Sequence, residues 1–98
     1  MKILWTNKAS WDLVRLYEQL RPVAPEAAAR LIQQLAKAPD RLFDYPRIGE
    51  KLEGYTPREV RRIFAGNYEL RYEIANADIF ILRLRHCREH RSFESDDE

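Results

Sequence analysis

The chain has one cysteine, Cys87, so no disulfide can form within it, and a reducing compartment suits it best. No apolar run approaches the ~20 residues a membrane helix needs. The opening residues also lack the pattern of a signal peptide, so a cytoplasmic protein is expected. Glycine is scarce, with three residues in all, and none belongs to a phosphate-cradling loop or a nucleophile elbow. Paired cysteines at zinc-finger spacing are missing. His86, Cys87 and His90 lie close in sequence, but they fall where a strand gives way to a tail and would converge only through a tight turn. Structural zinc normally takes four ligands, so neither a metal nor a cofactor is expected. With 98 residues there is room for one domain and not for two, and no internal repeat or linker divides the chain.

What is present is an ordinary folded composition, 45% hydrophobic and 34% charged, far from the bias of disordered chains. The net charge of +1 hides an asymmetry. Between Arg58 and Arg91 there are eight arginines against five acids, whereas Glu94, Asp96, Asp97 and Glu98 crowd the last five residues. An arginine-rich half of this kind suits an anionic groove or an acidic protein segment, and equally a solvated strand face.

Local patterns divide the chain into elements. Lys2 to Thr6 is β-prone, and Thr6 or Asn7 suits an N-cap. Trp11, Val14 and Tyr17, with Leu13, Leu16 and Leu20 on a neighbouring row, have helical spacing that Arg21-Pro22 ends. Pro25-Glu26 opens a second amphipathic helix through Ala28, Leu31, Ile32, Leu35 and Ala38. Trp5 is expected in the core. Three strands are predicted next, over Val60 to Phe64, Tyr68 to Ile74 and Ile79 to His86, the last two joined by a turn at Ala75 to Asp78. Alternation puts Leu70 and Tyr72 on one face together with Phe80 and Leu82. That even register sets Glu69 opposite Arg83 or Arg85 on the other face.

Cleavage of RNA needs a group to take the 2′-OH proton, another to protonate the leaving oxygen, and cations for the phosphorane. Glu69, His86 or His90, with Arg71, Arg83 or Arg88, could fill those roles if one concave surface gathered them. The plainer alternative is that His86 caps the edge of the core and the arginines are solvated or paired with Glu69 and Glu73.

Several short segments, taken in order, carry a resemblance. They are Lys2-Ile3-Leu4-Trp5-Thr6, Ala9 with Asp12-Leu13, Ala27-Ala28, Pro46-Arg47-Ile48-Gly49, Arg58-Glu59-Val60, Tyr68-Glu69-Leu70-Arg71-Tyr72, and the run from Ile81 to Arg88. Together they resemble the ParE/RelE toxin superfamily over nearly the whole chain, and lean toward the ParE branch. The resemblance implies one α+β domain over residues 1–91: an N-terminal strand, an antiparallel two-helix hairpin and a three- to four-stranded antiparallel sheet. Residues 92–98 would form an acidic, mobile tail. RelE-type ribonucleases use an arginine just after the tyrosine corresponding to Tyr68, and here that position is Glu69.

The resemblance implies a toxin of a type II toxin–antitoxin system, of the kind linked to plasmid stabilisation and growth arrest. It would bind DNA gyrase and stabilise the cleaved DNA complex, with no bond broken by the toxin, and would meet nucleic acid only through that target. Arg83, His86, Arg88 and Arg91 are the expected target contacts. A cognate antitoxin would lay an amphipathic segment into a groove between the hairpin and the sheet, touching Leu13, Leu16 and Leu35. The alternative activity is a ribosome-dependent mRNA endonuclease, using Glu69, Arg71, His86 and His90.

Overall fold

The computed structural model describes residues 1–89 of the chain. Strand β1 (Ile3–Trp5) passes directly into helix α1 (Asn7–Leu20), and Thr6 makes the joint. Its side-chain oxygen accepts the Ala9 N–H at 3.2 Å, satisfying one of the orphan donors of the first turn. The same hydroxyl donates to the Ile81 carbonyl at 2.8 Å, so the cap also pins the helix start to the sheet. Helix α2 (Pro25–Lys37) opens on Pro25, whose missing N–H costs nothing at the first helical position. A 3₁₀ helix follows over Ala38–Phe43.

The sheet has five strands, where three or four were expected, and it is mixed. Strands β2 (Glu50–Lys51), β3 (Glu59–Ala65), β4 (Tyr68–Ala75) and β5 (Asp78–His86) form an antiparallel run, and β1 adds in parallel against β5, giving the order β1-β5-β4-β3-β2. Both edge strands are only two or three residues long, which limits pairing with other chains. The β4–β5 hairpin turns through Asn76 and Ala77 at φ values of 54° and 65°, the signature of a tight primed turn.

The expected β4–β5 register holds only at one end. Glu69 faces Arg85 and Arg71 faces Arg83, but the register then shifts, so that Tyr72 faces Ile81. Leu82 is the extra residue of a β-bulge. Beyond it the parity of β5 reverses, and Ile79 and Ile81, in place of Phe80 and Leu82, join Leu84 in the core. That core gathers Leu70, Tyr72 and Ile63 from the sheet with Ala9 of α1, Leu35 of α2 and Leu42. Trp5 is only partly buried at its margin. On α1 the row Ala9, Asp12, Leu13 and Leu16 faces inward, leaving Trp11 and Val14 60% and 42% exposed.

A latch explains the Pro46-Arg47-Ile48-Gly49 and Arg58-Glu59-Val60 segments. The buried Tyr72 hydroxyl donates to the Pro46 carbonyl at 2.7 Å and accepts the Gly49 N–H at 3.1 Å. A methyl on Gly49 would lie 2.5 Å from the Arg62 carbonyl and 2.8 Å from the Tyr72 hydroxyl, so the approach requires glycine. Arg47 grips Glu59 through two hydrogen bonds, and Arg61 donates to both Glu59 and the Gly49 carbonyl. The hydrogen bond from Arg47 holds the Glu59 carboxyl below its usual range against the effect of burial, with Arg61 contributing.

Candidate functional site

Past Ile81, strand β5 has no strand beside it on its outer edge among the described residues, and α1 covers that edge instead. Asp12, buried to 5% exposure, does the covering. Its carboxylate accepts the Leu84 N–H at 2.9 Å, which an uncovered edge would leave unpaired. It also takes Arg83 through Nε at 3.0 Å and Nη2 at 3.2 Å, and binds Arg15 one helical turn away. Arg85 approaches to 4.0 Å. One carboxylate thus orders three arginines from two elements.

Across the sheet face turned away from the core, Arg62, Arg71 and Arg83 stand opposite one another on three neighbouring strands. Like charges in directly opposed positions repel. Buried counter-charges offset this: Glu69 binds Arg71 at 3.0 Å and lies 3.7 Å from Arg62, while Asp12 holds Arg83. Burial pulls the Arg71 pKa down, but hydrogen bonds from its guanidinium to Tyr55 and Glu69, and their charges, outweigh it and leave the pKa raised. Arg71 stays charged.

His86 belongs to the other face. It pairs with Tyr68, their rings meet edge-to-face at 5.1 Å, and both line a cavity of about 220 Å³ with Leu16 and Leu84. Strand alternation therefore separates His86 from Glu69 and Arg71. His90 and Arg91 lie outside the described residues. Arg88 is exposed on the short 3₁₀ turn Cys87–Glu89 that ends β5. Among the described residues, no three His, Cys, Asp or Glu side chains gather as metal ligands. No described helix is long and apolar enough to cross a membrane.

A second concavity, about 510 Å³ and mostly apolar, runs along the helix hairpin. Trp5, Leu13, Val14 and Tyr17 form one wall, and Ile32 and Ala36 of α2 the other.

The family profile described as the ParE toxin of the type II toxin–antitoxin system parDE matches residues 3–91. The chain belongs to the ParE toxin family. Toxin RelE2 of Caulobacter vibrioides is 33% identical over 86 residues, which make up 88% of this chain and 94% of that protein. A solved structure titled as the chromosomal ParDE system of P. aeruginosa superposes with a TM-score of 0.74 at 24% identity, covering 88% of this chain and 95% of that one, and so shows the same fold. A toxin of this family comes with a cognate antitoxin partner.

On this ParE scaffold the expected site residues fall into different settings. Arg83, expected as a surface contact, is 4% exposed, because α1 packs over this end of β5 and Asp12 holds the guanidinium. Leu35, expected at the antitoxin groove, is 1% exposed in the core. Leu13 does line the apolar cavity, whereas Leu16 faces the His86 side of α1. The sequence assigns no role to Asp12, whose partners lie more than 70 positions away. An acid among apolar helix neighbours was the available signal.

Proposed function

We propose that this toxin inhibits DNA gyrase by binding it and stabilising the cleaved DNA complex. We also infer that a cognate antitoxin neutralises it in the cytoplasm. The family match over residues 3–91 carries the reading. Geometry favours a binder. Glu69 and Arg71 are spent on a buried pair, and His86 lies across the sheet from them. The target surface is the end of β5, where His86 is half-buried and Arg88 exposed, with Arg91 following in sequence. The antitoxin is assigned to the apolar cavity of the hairpin, whose walls suit the apolar face of an amphipathic helix.

A second reading, an mRNA endonuclease, draws on the name of the Caulobacter relative. A titration of the purified chain against gyrase and relaxed plasmid, with ATP, separates the two. Loss of supercoiling with accumulation of linear DNA is the expected result. Untouched supercoiling from a folded, growth-arresting sample, together with cleaved message in arrested cells, would transfer the assignment to the ribosome.

A further inference from the structure

Strand β5 ends at His86, and the chain turns at once through Cys87–Glu89. So short a 3₁₀ turn supplies few backbone bonds of its own, and its first N–H groups need partners from outside it. The Cys87 N–H donates to the carbonyl of Asn67, in the turn between β3 and β4, at 2.8 Å. The Arg88 N–H donates to Nδ1 of the His86 ring at 3.0 Å.

A side chain that accepts the N–H two residues further on is what asparagine and aspartate provide, through Oδ1, in turns and at caps. Nδ1 of histidine and Oδ1 of asparagine are both bonded to Cγ, so the imidazole fills the same place. The ring is also held from other sides. Tyr68, opposite on β4, meets it edge-to-face at 5.1 Å, and it forms part of the wall of the cavity shared with Leu16, Gln19 and Leu84. His86 is half-buried whereas Arg88 is exposed. A ring anchored in the fold thus fixes the backbone from which an exposed arginine departs.

We infer that His86 is a positioning residue: it caps the turn that directs Arg88 at the target and does not itself touch the target. The inference rests on the end of β5 being the target surface, and it does not need that target to be gyrase. An arginine whose backbone is already ordered loses less freedom on binding, so the cap is felt as affinity. Two other roles for the ring predict different results. Direct contact with the target would make the losses from His86 and Arg88 independent of each other. Packing on Tyr68 alone would make the ring, and not the acceptor, the property that counts.

The test is a gyrase cleavage titration of the full chain with two variants. His86→Asn keeps an acceptor on Cγ and loses the ring, whereas His86→Phe keeps a ring and loses the acceptor. His86→Phe should need about 2- to 30-fold more protein for the same linear DNA, the span that a lost cap implies. His86→Asn should titrate nearer the parent. On an Arg88→Ala background His86→Phe should add nothing, because a residue acting only through another is not additive with it. Amide exchange followed by NMR reads the bond with no target present: the Arg88 N–H should exchange faster in His86→Phe than in the parent or in His86→Asn. Circular dichroism checks that each variant folds. A milder loss in His86→Phe than in His86→Asn, an additive loss in the double variant, or unchanged Arg88 exchange in His86→Phe would each overturn the inference. Arg88→Ala as active as the parent would overturn it together with the surface it rests on. A parent chain that leaves gyrase untouched overturns the gyrase reading alone, and the same variants are then ranked by growth arrest.

Discussion

The two faces of the sheet are built from the same strands by opposite means. On the face under the helices, Leu70, Tyr72, Ile79, Ile81 and Leu84 are removed from water by Ala9, Leu35 and Leu42. There stability comes from apolar area. On the other face, one residue along each strand, stand Arg62, Arg71, Arg83 and Arg85 with Glu69. Burying such groups costs more than it gains unless each is paired. That face is held by carboxylates: Asp12 on Arg83, Glu69 on Arg71, Glu50 on Arg62 and Glu73 on Arg58. The difference teaches that alternation along a strand can keep apolar packing and ion pairing on separate residues, with Asp12 the side chain of the inward row of α1 that reaches the arginines.

The largest effect should come from removing that link. Asp12→Ala leaves the Arg83 guanidinium buried without its carboxylate and the Leu84 N–H unsatisfied, at an expected cost of about 3–5 kcal/mol. A urea titration beside Arg15→Ala sharpens the comparison. Arg15 is half-exposed, and its loss should stay within about 1 kcal/mol. Equal costs for the two variants would break the distinction between the buried carboxylate and its outer partner.

A smaller effect belongs to the apolar face. Tyr72→Phe keeps the packing and removes the hydrogen bonds to Pro46 and Gly49, for about 1–2 kcal/mol. Burial raises the Tyr72 pKa above its ordinary 10.0, opposed by the Gly49 hydrogen bond and by Arg61. The folded state thus holds this proton more tightly than the unfolded chain. Its stabilising contribution is complete below pH 10 and is lost as pH rises through the raised value. Denaturation midpoints between pH 9 and pH 11 should therefore fall more steeply in the parent chain than in Tyr72→Phe.

The smallest effect is a gain. Ala77 sits at φ 65°, where a Cβ is strained and glycine is not. Ala77→Gly should raise stability by up to about 1 kcal/mol, read as a higher melting temperature, with neither face altered.

Local chemistry made much of the fold legible. Thr6 as a cap, Arg21-Pro22 as a stop, Pro25 as a start and the turn at Asn76-Ala77 depend on residues within a few positions of each other, and each stands where expected. What escaped was non-local. The bulge at Leu82 leaves no mark in an unbroken alternating run, yet it exchanges Phe80 and Leu82 for Ile79 and Ile81 in the core. Leu35 fits a groove as well as a core when only its periodicity is known. Asp12 meets Arg83 and Leu84 across more than 70 positions of sequence, a contact that no local pattern announces.

The most direct test of a toxin with separate target and antitoxin surfaces is a gyrase cleavage titration of two charge-reversing variants, with and without antitoxin. Arg88→Glu, at the end of β5, should lose the accumulation of linear DNA while still binding antitoxin. Val14→Glu, on the exposed wall of the hairpin cavity, should cleave as the parent does and resist rescue. Loss of both properties in one variant, or of neither in both, would contradict the separation.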